Sequence, residues 1–201
     1  MSLYKPIERI QISKSDLLQI ENQIRFQEHI RRYASARRFL YGKVLDFACG
    51  CGYGSHLLST NPEVSKVVGV DKDEESIAWA KKEFETAKCE FRCVDVLDLH
   101  EKFDTLISLE TIEHFENNDI YHQVLKNCQI DQLILSYPNK KSTHFNPFHV
   151  RDVIAQDVCT AFPDFVLVHR YLMGDVDFLI LIRKPAAMPS HIYQNISDLR
   201  S

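Results

Sequence analysis

Along this chain, short continuous apolar runs alternate with stretches where apolar residues return every three or four positions. That is the pattern of strands buried in a parallel sheet and separated by amphipathic helices. The runs predict strands at about Val44 to Ala48, Lys66 to Asp71, Cys89 to Val94, Phe103 to Leu109 and Gln132 to Tyr137. Two more, Phe165 to Tyr171 and Val176 to Arg183, flank a Met173-Gly174-Asp175 turn and read as a terminal hairpin. Helical spacing predicts helices over Gly54 to Ser59, after Asp73, over Asp119 to Asn127 and over Val150 to Thr160. Asp73 suits an N-cap, Glu74-Glu75 the positive end of the helix dipole, and Ile77, Ala80 and Phe84 one apolar face. Upstream, Leu18, Ile24, Phe26, Ile30, Tyr33 and Phe39 recur loosely at helical spacing between Ser15 and Leu40, so helices precede the first strand. The alternation predicts an α/β fold with a mostly parallel, doubly wound sheet.

The first strand breaks into three glycines at alternate positions, Gly50, Gly52 and Gly54, and then into a helical pattern. A strand ending this way offers bare backbone N–H groups to a ligand, and each missing Cβ is expected to let the main chain approach a nucleoside or its charged tail. Asp71 closes the second strand, near the ~20-residue offset at which a carboxylate grips ribose hydroxyls in a β-α-β nucleotide site. The spacing is G-x-G-x-G behind Asp46 and Cys49, whereas a pyrophosphate-binding dinucleotide turn reads G-x-G-x-x-G.

This form resembles motif I of the class I S-adenosylmethionine-dependent methyltransferases, D-x-x-x-G-x-G, and the chain looks like a small single-domain bacterial member. The resemblance implies a Rossmann-like methyltransferase fold of seven strands, the last antiparallel, with the donor over the carboxyl ends of strands one and four. Residues 1–42 would form a helical cap, 43–184 the methyltransferase core and 185–201 a loosely ordered tail. By the same resemblance Asp46, Ala48, Cys49, Gly50, Gly52, Tyr53, Asp71, Lys72, Asp95, Val96 and Leu109 bind the donor, with Asp95 at the adenine amino group and Val96 near its ring. Arg32 and Tyr33 would close over it, guanidinium to carboxylate and ring against ligand. Asp104, in Phe103-Asp104-Thr105-Leu106-Ile107-Ser108-Leu109, resembles motif IV and reads as structural. A Pro-Gly-Gly turn common before strand five is replaced by Cys128-Gln129-Ile130-Asp131.

Chemistry is expected just after strand four, in Glu110-Thr111-Ile112-Glu113-His114. Were a helix to begin there, positions 110, 113 and 114 would share a face. His114 is then the general base for an alcohol acceptor, with Glu113 or Glu110 orienting its ring. E-x-x-E-H also resembles a metal-binding motif of small-RNA 2′-O-methyltransferases and ubiquinone-pathway O-methyltransferases. That resemblance implies Mg²⁺ or Mn²⁺ held by Glu110, Glu113, His114 and a further histidine after strand five, for which His144 and His149 are available and His149 is favoured. Asn146-Pro147-Phe148-His149 resembles the acceptor-side loop of bacterial glycan and natural-product methyltransferases.

Composition fits a single globular enzyme domain: 201 residues, 45% hydrophobic and 26% charged. No apolar run is long enough for a membrane span or a signal-peptide core, and the six cysteines form no C-x-x-C pair, so a cytoplasmic protein with reduced thiols is expected. The net charge of −4 divides into +4 over residues 1–40 (eight Lys or Arg against four Asp or Glu) and therefore −8 over the rest. Arg25, Arg31, Arg32, Arg37 and Arg38 supply most of the basic excess; such a helix is either a solvated face or partly turned to an anionic ligand. An acidic body argues against extended nucleic-acid binding. The expected function is methyl transfer from S-adenosylmethionine to oxygen of a small molecule or sugar. A nicotinamide-dependent oxidoreductase and a non-catalytic S-adenosylmethionine-binding protein are the alternatives, and the oligomeric state is open.

Overall fold

The computed structural model describes residues 24–144 and 146–185. Positions 15–23 of the expected N-terminal helices and most of the expected tail lie outside the described residues. The elements are α1 (Ile24–Arg37), β1 (Gly42–Phe47), α2 (Tyr53–Ser59), β2 (Val64–Asp71), α3 (Glu74–Phe84), β3 (Cys89–Cys93) and β4 (Thr105–Leu109). They continue with α4 (Asp119–Cys128), β5 (Gln132–Pro138), α5 (Ala155–Ala161), β6 (Phe165–Met173) and β7 (Val176–Arg183). One seven-stranded sheet runs β3-β2-β1-β4-β5-β7-β6; β1 to β5 pair in parallel, and β7 lies antiparallel to both neighbours.

The central strands are apolar on both faces because helices cover both. Leu45, Phe47, Leu106, Leu133 and Leu135 join Tyr121, Val124 and Phe162 on the face under α4 and α5. Val44, Val67, Ile107 and Ile134 join Tyr33, Ala36, Ile77, Ala80 and Phe84 on the face under α1, α2 and α3. Asp73 caps α3 as expected, its side chain accepting from Ser76 N. The strand order reverses between β1 and β4, so their adjacent helices leave on opposite faces and open a crevice above these two strand ends.

Two boundaries differ from the sequence reading. Strand four begins at Thr105, because Phe103 N is taken by Cys128 O, while Asp104 exchanges bonds with Lys43: Lys43 N donates to its carboxylate at 2.7 Å. Asp104 thus has the structural role expected of it. The helix expected from Val150 starts at Ala155, because the N–H groups of Val150 and Arg151 donate instead to Glu113 O, and Asp152 accepts from Ser142 N and Thr143 N. This loop is fixed to the turn after β4 rather than wound into a helix.

Candidate active site

The chain leaves β1 through residues with positive φ: Ala48 (61°), Gly50 (54°) and Gly52 (82°). Asp71, at the end of the adjacent β2, fixes this turn; its two carboxylate oxygens accept from Gly50 N and Asp73 N, each at 3.0 Å. The three glycines serve different purposes. A Cβ on Gly50 would meet nothing within 4 Å, so this one leaves backbone open to the crevice. A Cβ on Gly52 would stand 2.5 Å from Ala80 Cβ and 2.7 Å from the Phe91 ring, and one on Gly54 would stand 2.3 Å from the Tyr33 ring. The expectation that each missing Cβ serves a ligand is therefore corrected. Gly52 allows α2 to approach the α3–β3 layer, and Gly54 allows α1 to lie on α2.

Tyr33 fixes that second contact. Its ring seats over Gly54 and edge-on to Tyr53, and its hydroxyl donates to Asp46 Oδ1 at 3.3 Å, while Ser55 Oγ donates to Asp46 Oδ2 at 2.5 Å. Asp46 is fully buried, and burial raises its carboxyl pKa to about 7 against the opposing pull of these two hydroxyl donors. It does not line the cavity, so its place in the motif is to tie α1 and α2 to the strand end rather than to touch a ligand directly.

Above the ends of β1 and β4 lies a cavity of about 770 Å³. That is ample for a nucleoside-sized ligand. Of the expected donor residues, Arg32, Tyr33, Ala48, Cys49, Gly50, Tyr53, Asp71, Lys72, Val96 and Leu109 line it. Asp46 and Gly52 stand behind the wall, and Asp95 is not among the lining residues either. Asp95 caps the short turn at Val96–Asp98 by accepting from Leu97 N at 3.0 Å, and it forms an ion pair with Lys72 Nζ at 2.7 Å. That pairing lowers its pKa and ties the β2 and β3 ends together at the rim. Phe47, Cys51, Val70, Val94, Thr111, Phe115, Ile120 and His29 also line the cavity and were not foreseen. His29 had a readable signal, since it lies three positions before Arg32 on one helix; its Nδ1 is 3.1 Å from the Arg32 guanidinium.

The segment after β4 departs most from expectation. No helix begins at Glu110. That residue has φ 53°, its N–H donates to Ser136 O, and a three-residue 3₁₀ turn, Ile112–His114, follows. The shared helical face of positions 110, 113 and 114 therefore does not form. Glu110 lines the cavity with Oε1 accepting from Ser136 Oγ at 2.8 Å, and burial raises its pKa. Glu113 is 1% exposed on the other side of the turn, where His114 Nε2 and His149 Nε2 lie 4.0 and 3.9 Å from its Oε1. One potential ligand atom from each of Glu113, His114 and His149 falls within 4.8 Å of the other two; Glu110 is not in this group, nor is His144.

Both imidazoles are oriented from behind. His114 Nδ1 lies 2.9 Å from Phe148 O, so it carries the proton and leaves Nε2 as the basic nitrogen. His149 Nδ1 lies 2.6 Å from Ser142 Oγ, and its Nε2 2.7 Å from Asn146 Nδ2. Burial and the neighbouring His114 lower the His149 pKa. His114 alone of the pair lines the cavity.

The comparisons with known proteins fall on the same segment. Residues 44–129 match the family described as a methyltransferase domain. That span runs from β1 through α4 and holds the glycine turn, Asp71, Asp95 and the Glu110-to-His114 segment. Malonyl-[acyl-carrier protein] O-methyltransferase of Acetivibrio thermocellus is 32% identical over 88 residues, 43% of this chain and 30% of that protein. The chain spans about a third or less of the length of the curated relatives it matches. Magnesium protoporphyrin IX methyltransferase of Synechocystis, solved with S-adenosylhomocysteine, superposes with a TM-score of 0.65 at 19% identity over 89% of this chain and 90% of that one. A small RNA methyltransferase gives a TM-score of 0.65 at 18% identity over 82% of this chain and 26% of that one. The fold is the Rossmann-like methyltransferase fold.

Proposed function

We propose that this chain is an S-adenosylmethionine-dependent methyltransferase acting on an oxygen of a small molecule or sugar. The observation that carries the reading is the cavity at the β1–β4 switch point, with the Gly50 backbone and the Asp71 carboxylate on one wall and His114 on another. The Asp71 carboxylate, at the end of β2 on the cavity wall, stands where the ribose hydroxyls of a β-α-β nucleotide site are gripped. The sulfonium is a good leaving group, so the protein's main task is in-line positioning, which supplies up to ~7–11 kcal/mol in well-oriented systems. His114 Nε2 takes the acceptor's proton, and the buried Glu113 carboxylate stabilises the imidazolium that results. Glu110, the other acid of the segment, is held by the Ser136 hydroxyl.

A second element of the reading is a divalent cation, favoured by the convergence of Glu113, His114 and His149. The donor set fits Mn²⁺ or a similar transition ion, since two imidazoles beside one carboxylate suit it better than they suit Mg²⁺, which prefers oxygen ligands; the Phe148 carbonyl and Ser142 hydroxyl anchor the far ring nitrogens as outer-sphere partners do. The Asn146 amide would turn away from His149 Nε2. Such an ion would polarise the acceptor oxygen and lower its pKa.

Incubation with S-[methyl-³H]adenosylmethionine and fractionated cell extract tests the reading. Label transferred to a small-molecule fraction supports it, and label entering RNA would replace the acceptor class. Binding of S-adenosylhomocysteine with no transfer to any fraction favours a non-catalytic binding protein. Binding of NAD in its place favours the oxidoreductase alternative, which the glycine spacing opposes.

A further inference from the structure

The candidate base and its neighbours stand on two segments far apart in the chain. Glu113 and His114 belong to the 3₁₀ turn after β4, and His149 to the loop after β5. So short a 3₁₀ turn has few hydrogen bonds of its own, and their geometry is poor. Here the bond from Phe115 N to Ile112 O is 3.4 Å long. Arg151 supplies what the turn lacks. Its Nε and Nη2 donate to Ile112 O at 3.4 and 3.2 Å, and Nη2 also donates to Asn118 Oδ1 at 2.5 Å. One half-buried guanidinium thereby staples both ends of the segment 112–118. The backbone N–H of the same residue donates to Glu113 O, as does Val150 N.

The staple reaches both imidazoles. Phe148, three residues before Arg151, gives its carbonyl to His114 Nδ1 and so fixes which ring nitrogen is basic, and His149 lies two residues before. A shift of this loop against the turn would disturb both rings, whose centroids lie 4.9 Å apart in an edge-on contact. Arg151 is not among the residues lining the cavity, so it acts from behind the wall. Resting on the reading of His114 as base, we infer that Arg151 is a positioning residue for proton removal from the acceptor, holding the turn and the loop in the one register that aims His114 into the cavity. Lysine would keep the charge but not the planar fork that spans two acceptors.

The experiment measures transfer from S-[methyl-³H]adenosylmethionine into the extract fraction that accepts label, with S-adenosylhomocysteine calorimetry and thermal melting in parallel. The proteins are the unsubstituted chain, Arg151→Lys, Asn118→Ala, His114→Ala, and Arg151→Lys combined with His114→Ala. Arg151→Lys should lower turnover at a saturating amount of the fraction by about tenfold or more, the scale of a charge-assisted hydrogen bond, and leave S-adenosylhomocysteine affinity within about threefold. Asn118→Ala removes one end of the fork without removing a helix cap, since that side chain makes no capping bond to α4, and a smaller loss is expected. A residue that acts through His114 adds nothing once His114 is gone, so the double variant should match His114→Ala within about twofold. Losses that multiply in the double variant overturn the positioning role, as does full turnover in Arg151→Lys or a donor affinity that falls as far as turnover does. Should Arg151→Lys fail to fold, full turnover in Asn118→Ala overturns it. Unchanged turnover in His114→Ala removes the base reading itself and this role with it, and no transfer by the unsubstituted chain removes the catalytic reading.

Discussion

Gly50 and Gly52 are two positions apart, yet they should respond to substitution in different ways. Gly50→Ala meets open space and pays only the left-handed backbone strain, about 1–2 kcal/mol, so the protein should fold with a modestly lower Tm and bind S-adenosylhomocysteine less well. Gly52→Arg drives a side chain into Ala80 and Phe91, and loss of soluble folded protein is the outcome circular dichroism should show. The sequence made both glycines visible but not this difference, because Ala80, Phe91 and Tyr33 reach the loop from elsewhere in the chain. His114→Ala should keep donor affinity while turnover falls by roughly 10² to 10⁴, measured with a saturating acceptor; unchanged turnover would remove it as the base. Asp46 gives a pH signature. Its folded pKa of about 7 lies above its ordinary value of 3.8, so the folded protein holds this proton more tightly than the unfolded chain, and stability falls as pH rises between those two values. Asp46→Asn should flatten that part of the slope in urea midpoints measured from pH 5 to pH 8, and an unaltered slope would contradict the assignment.

Among the elements, α1 is held on the core by Tyr33, seated in a glycine notch, by the buried Ala36 and by the bonds of Arg37 to Thr60 and Asn61, and it carries His29 and Arg32 onto the cavity. Tyr33→Phe keeps the ring contact and loses the bond to Asp46, so about 1 kcal/mol of stability and a faster donor off-rate are expected in stopped-flow binding. The loop after β5 is tied just as specifically: Arg151 donates to Ile112 O and Asn118 Oδ1, and Val150 N to Glu113 O. These bonds seat His149 beside Glu113. The helix after Asp73 was legible because its cap and apolar face are local, and the helix from Asp119 because its apolar face is. The 3₁₀ turn after β4 was not, because it is set by Ser136 and Arg151, 26 and 39 residues away from Glu110 and Ile112 respectively. Where the backbone is decided by distant partners, helical periodicity in the sequence has no authority, and the face expected to unite Glu110 with Glu113 and His114 was lost for that reason.

For the whole molecule, a sheet with one reversal of strand order and helices on both faces places the cavity at the β1–β4 switch point; the alternation of apolar runs was enough to anticipate the α/β sheet but not its strand order, and the site above strands one and four was implied by the resemblance of the motifs. Ten of the thirteen expected donor residues line that cavity because motif residues sit at strand ends, where position along the chain and position in the sheet coincide. Asp46, Gly52 and Asp95 instead support the wall, a distinction made by packing. Among the described residues no helix is long and apolar enough to cross a membrane. The most direct test of the central claim is calorimetric titration of the purified chain with S-adenosylhomocysteine, alongside Asp71→Ala. The account predicts saturable one-to-one binding that weakens by about tenfold or more when the Asp71 carboxylate is removed. Absence of binding to the unsubstituted chain, or equal affinity in the two proteins, would contradict it.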